Sequence, residues 1–115
     1  MRYVDGVVCA VPTANKQVYL EHAERAAELF KRHGAISVAE CWGDDAPEGK
    51  TNALHTAVMR KPDETVVFSW IVWPSRSVRN EAWDKIRTDP AMAGQTMPFD
   101  GQRMIFGGFD VLLER

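Results

Sequence analysis

Asp5, Glu40 and Ser69 each stand inside a run of otherwise apolar residues. A polar group carried into an apolar sheet is costly unless a partner satisfies it. A carboxylate in such surroundings is one source of general acid or base chemistry, because burial disfavours the charged form and brings proton transfer toward neutral pH. On that reading the three residues line a pocket beside the sheet. The other reading is structural: each sits near a strand end, salt-bridged to Arg76 or Arg103 or facing water. Taken singly, each residue favours the structural reading.

Further candidates lie nearby in sequence. His55 follows an acidic loop and can stand at a pocket mouth. Trp42, Trp70 and Trp73 are more often core or interface anchors, but their number in so short a chain also suits a flat aromatic ligand. Arg103, just after Asp100-Gly101, can pair an acid. His22 and His33 fall on or beside a charged helix face and are expected in solvent. Asp44, Asp45 and Glu48 form an acidic turn, but hard cations require about six oxygens in set geometry, so no metal is expected. No nucleophile elbow, phosphate-binding glycine loop, zinc-protease motif or dinucleotide fingerprint is present, and no cofactor is expected.

These residues are positioned by a chain of 115 residues, 45% apolar and 26% charged, which fits a single domain spanning 1–115. The net charge is −2 with 14 basic residues spread along the chain, so no basic stripe for nucleic acid exists. No apolar run reaches the roughly 18 residues of a membrane span. Asp5 interrupts what would be a leader's apolar stretch, and secretion is not expected. Cys9 and Cys41, lacking Cys-x-x-Cys spacing, read as buried free thiols in a reducing, cytoplasmic setting.

Tyr3–Val11 reads as a strand ended by Pro12, with Thr13 as the cap of a helix over Ala14–His33. Tyr19, Ala23, Ala26, Ala27 and Phe30 form its apolar stripe, and Gly34 its left-handed stop. Ala35–Trp42 alternates as a strand, with Glu40 the odd member of the bulky side. Residues 52–60 fit either a short helix or a strand extension. Thr65–Trp73 is apolar at both parities, as a central strand covered on both faces would be. Ser75 caps a helix striped by Val78, Ala82 and Ile86 and closed by Asp89-Pro90. Residues 91–102 read as a loop. Arg103–Leu113 is the last strand, where Gly107-Gly108 marks a bulge or a close backbone approach.

The order strand, helix, strand, strand, helix, strand gives a ferredoxin-like β-α-β-β-α-β unit of the α+β class. Its four-stranded antiparallel sheet has the first and third strands central and two helices on one face. Because the strands are apolar at both parities, the other face is apolar too. Such a face exceeds what a monomer usually leaves bare, and a second copy of the chain is the simplest cover.

Several stretches also resemble the YbaA-like family of unknown function. They are Tyr3-Val4-Asp5-Gly6, Glu40-Cys41-Trp42, Val67-Phe68-Ser69-Trp70-Ile71 with Pro74-Ser75, Asp89-Pro90, and Met97-Pro98-Phe99-Asp100-Gly101 continuing through Arg103 to Phe109. The resemblance covers essentially the whole chain and implies a dimeric α/β barrel, but no activity. More distant members of that superfamily include cofactor-free monooxygenases, haem-degrading enzymes and lactone isomerases, a link of fold analogy alone. Two functional expectations follow. One is a homodimer that binds or converts a small aromatic or hydrophobic molecule in a pocket by the sheet, using Asp5, Glu40, His55, Ser69 and Arg103. The other is a non-enzymatic homodimeric module with a solid, packed barrel.

Overall fold

The computed structural model describes residues 1–92 and 96–115; residues 93–95 of the expected loop lie outside the described residues. The strands are β1 (Tyr3–Pro12), β2 (Ser37–Trp42), β3 (Glu64–Trp73) and β4 (Ile105–Asp110). The helices are α1 (Lys16–Arg32), the single turn α2 (Leu54–Ala57) and α3 (Arg76–Arg87). All pairings are antiparallel, in the order β2-β3-β1-β4, so the two most apolar strands occupy the centre. This is the ferredoxin-like arrangement.

Strand alternation divides the side chains between two faces. Tyr3, Asp5, Val7, Cys9 and Val11 of β1 point toward α1 and α3. Tyr3, Ile71 and Trp73 pack with Leu29, Ala82 and Ile86, while Cys9, Val11 and Val67 pack with Tyr19 and Ala23. The even residues Val8 and Ala10 face the other way, where fully buried Val58 packs on them and on Val66. The segment after α2 therefore roofs one end of the second face. The rest of that face carries Phe68, Ile105 and Phe109, which are 44%, 44% and 60% exposed. Trp70 lies beside Phe68, with ring centroids 5.6 Å apart.

Several local expectations need correction. Thr13 does not cap α1: residues 13–15 form a 3-10 turn, and the Thr13 hydroxyl bonds that of Thr65 at 2.7 Å. The last strand is shorter than Arg103–Leu113, because Asp110 pairs with Tyr3 at the very start of β1. Beyond it one bond, from the Val111 N–H to the Arg2 carbonyl, continues the contact. The β1–β4 register runs without a bulge. Gly108 instead marks a close approach, since a Cβ there would overlap the Tyr3 ring. Two other features follow the sequence. Ser75 Oγ accepts the Val78 N–H at 3.2 Å, and Gly34 ends α1 with φ of 108°.

His22 and His33 are not solvated. His22 is buried, and His33 sits 3.3 Å from Asp89 across the gap between the ends of α1 and α3. The expectation of a wet face fails for His22 because it lies three residues after Tyr19 and shares its inward stripe.

Candidate functional site

Between the helix layer and the sheet is a cavity of about 580 Å³, within the roughly 300–1,000 Å³ of small-molecule sites. Small residues create it: Ala23 and Ala26 on α1 leave room above the sheet where longer side chains would fill it. Its floor is the helix-facing parity of the strands, namely Asp5, Val7 and Cys9 of β1, Glu40 of β2, Ser69 of β3 and Phe106 of β4. Tyr19, His22 and Phe30 come from α1, Trp83 from α3, and Met92, Met97, Phe99 and Met104 from the segment between α3 and β4. Methionines give such a wall adaptable packing.

The sheet register makes Ser69 the cross-strand partner of both Val7 and Glu40. Glu40 Oε1 accepts the Ser69 hydroxyl at 2.5 Å and the Tyr19 hydroxyl at 2.6 Å. Among the described residues no group donates to Oε2. Glu40, an exposed residue of the edge strand β2 that also lines the cavity, is thus a carboxylate held in orientation through one oxygen, with no donor on the other. Burial first, then the hydrogen bond and charge of Glu40, push the Tyr19 phenol far above its ordinary range, so Tyr19 remains a donor. Burial, reinforced by Glu40, raises the Cys9 thiol to about 11. A thiol so protonated is a poor nucleophile at neutral pH. Burial, with help from Arg25, lowers His22, which Glu40 partly offsets; its imidazole is neutral near pH 7.

Asp5 plays a different part. Oδ2 accepts the indole N–H groups of Trp73 and Trp83, both at 2.9 Å, and Arg79 reaches Oδ1 through Nη2 at 2.8 Å. Arg79 Nε spans both oxygens at 3.0 and 3.2 Å. With these donors on it the carboxylate ties α3 to the two central strands. Its ionic partner is Arg79, neither Arg76 nor Arg103, because Arg79 lies one turn further along α3 and faces the sheet.

The sequence candidates therefore divide by place. Asp5, Glu40 and Ser69 meet on the cavity floor. Trp42 packs against Tyr19 at 6.5 Å under the Lys16 ammonium, and Trp73 is wholly buried in the core. Trp70 is on the opposite face of the sheet. Arg103 does not line the cavity, although its neighbour Met104 does: it forms a bidentate pair with Glu64, both bonds 2.7 Å, and also holds Asp100 and the Met59 carbonyl. His55 lines a separate hollow of about 200 Å³ with Arg60, Glu64 and Thr65. There, among the described residues, His55 Nδ1 and Arg60 Nε have no hydrogen-bond partner. Among the described residues no group of three or more His, Cys, Asp or Glu is placed to hold a metal.

The sequence assigns no site role to Tyr19, His22, Arg79, Trp83 or Phe99. Three of them left a trace: the Tyr19 phenol in a buried helical stripe requires an acceptor, and Arg79 and Trp83 are four apart on the helix that must meet Asp5.

Comparison with known proteins finds a family and a shared fold, not a site role. Residues 2–101 match the family described as "Protein of unknown function (DUF1428)". The uncharacterized protein YbaA of Escherichia coli K12 is 49% identical over 116 residues, covering 99% of each chain, and that of Shigella flexneri matches equally. Among solved structures, a putative antibiotic biosynthesis monooxygenase from Bacillus cereus aligns with a TM-score of 0.58 at 14% identity, covering 99% of this chain and 96% of that one. A dimeric ferredoxin-like protein from an uncultured marine organism aligns with a TM-score of 0.57 at 12% identity, covering 99% and 98%. At such identity these two share the fold.

Proposed function

This chain belongs to the DUF1428 family of proteins of unknown function, and we propose that it is a homodimer, one domain over residues 1–115, that binds a small aromatic or hydrophobic molecule in the cavity between its helices and sheet. One observation carries the reading. A mostly apolar cavity of about 580 Å³ contains a carboxylate fixed through Oε1 by Tyr19 and Ser69, with Oε2 unengaged among the described residues. Apolar walls with a few convergent polar groups are the usual form of a ligand site. A solid module with no room for a ligand fits the second sheet face but not this cavity.

Self-association is supported by that second face, where Phe68, Trp70, Ile105 and Phe109 form an apolar surface beyond the cover of Val58. The solved neighbour named as dimeric has the same fold. A cytoplasmic setting is compatible with the free thiols: Cys9 is buried as expected, whereas Cys41, expected buried, is exposed on the opposite face of the edge strand. No helix among the described residues is long and apolar enough to cross a membrane.

The test is titration with naphthalene-1-methanol, a flat probe with one hydroxyl, followed by calorimetry. Saturable binding is expected, and Ala26→Trp, which fills the cavity, should abolish it without lowering the melting temperature. Undiminished binding by a folded Ala26→Trp protein would refute the cavity as the site.

A further inference from the structure

The charges around the cavity are not evenly balanced. Asp5 is neutralised by Arg79 at 2.8 Å, and Asp84 is paired with Arg87 at 3.0 Å on the outer part of the wall. Glu40 differs from both. Its two bonded neighbours, Tyr19 and Ser69, are neutral hydroxyls, and among the described residues no cation is in ion-pair contact with it. The lining therefore carries one uncompensated negative charge, set in walls of Tyr19, Phe30, Phe99, Trp83 and methionine.

We propose, building on the cavity reading above, that the site selects a hydrophobic amine, with its protonated nitrogen on Glu40 Oε2 and its apolar body against the aromatic walls. A cation gains a charge-assisted hydrogen bond at that oxygen, roughly twice as strong as a neutral one. The ring faces nearby add attraction for a positive group within about 6 Å. A neutral hydroxyl obtains only the weaker bond, and a carboxylate meets repulsion from Glu40. His22, neutral through burial, offers an anion no compensation. Because β2 is an edge strand and Glu40 is exposed, the bound ammonium keeps much of its hydration. The preference is accordingly moderate.

Three probes with one ring system separate the possibilities: naphthalene-1-methylamine, naphthalene-1-methanol and naphthalene-1-carboxylic acid, titrated at neutral pH. The amine should bind about tenfold tighter than the alcohol, the range expected for a partly solvated charge-assisted bond, and the acid should bind weakest. In Glu40→Gln the amine and alcohol should come within about threefold of each other. Tyr19→Phe, which frees one of the two anchors, should lower the amine preference while leaving the charge in place. An acid that binds the native protein as well as the amine overturns the inference, as does an unchanged order in folded Glu40→Gln. The native series alone decides the matter if that variant does not fold. Equal binding of all three probes removes the amine selectivity but leaves the cavity site standing; binding of none removes both.

Discussion

Asp5→Asn should destabilise the protein by about 3 kcal/mol, the lower end of the range for breaking a buried ion pair. The structure sets that magnitude. The Asp5 side chain is 8% exposed and that of Arg79 23% exposed, so water recovers only part of the lost interaction. Asparagine keeps an oxygen able to accept the Trp73 and Trp83 indoles, but its amide nitrogen must face the guanidinium. What is lost is chiefly the charge that holds Arg79 against the sheet. With an unfolding entropy near 2.1 cal/mol/K per residue, the melting temperature should fall by about 12 °C. The assay is urea and thermal unfolding at fixed protomer concentration, because a dimer's stability depends on concentration. Asp5→Asn/Arg79→Met, which removes the stranded charge, should recover at least about 1 kcal/mol relative to Asp5→Asn. A loss below about 1 kcal/mol in Asp5→Asn would refute the reasoning, since it would mean that Asp5 is not the tie between α3 and the sheet.

Other consequences can be measured separately. Glu64 is held at about 2, well below the ordinary carboxylate value of 4.5, chiefly by its hydrogen bonds to Arg103. A pKa depressed on folding stabilises above 4.5 and is lost as pH falls from 4.5 toward 2, so the urea midpoint should decline across that window and decline less in Glu64→Gln. An identical decline in both proteins would dismiss Glu64 as a source of acid sensitivity. Trp70→Glu places a charge in the second face and should halve the light-scattering mass from near twice 13.0 kDa to one copy; a mass that stays doubled would show that this face is not the seam. Gly34→Ala forces a Cβ into the positive-φ region, 3.1 Å from Val78 Cγ1, and should cost about 1–2 kcal/mol in unfolding free energy. Arg103→Lys should lower stability while leaving probe affinity unchanged, because Arg103 binds Glu64 and not the cavity; a changed affinity would place it at the site.

The fold was legible because its patterns were strong. Thr65–Trp73 is apolar at both parities, and the structure places it beside β1 at the centre of the sheet. The stripe Tyr19, Ala23, Ala26, Phe30 made α1 plain, and its small members turned out to open the cavity rather than simply to pack. Polar residues were harder. Glu40 stood out as the odd member of its strand face, but its partners Tyr19 and Ser69 are 21 and 29 residues away, and no local pattern encodes that convergence. Residue type misplaced His22, whose helical phase belongs with Tyr19. The Arg103–Glu64 pair spans 39 residues and closes the loop ahead of β4, a tertiary contact that the acid-rich sequence could have satisfied in several ways.

The most direct test of the central claim is chemical-shift mapping during titration with naphthalene-1-methylamine. Perturbations are expected at Ala23, Ala26, Ser69 and Phe99 around the cavity. Perturbations confined to Phe68, Trp70 and Phe109 on the opposite face, or none at all, would contradict that claim.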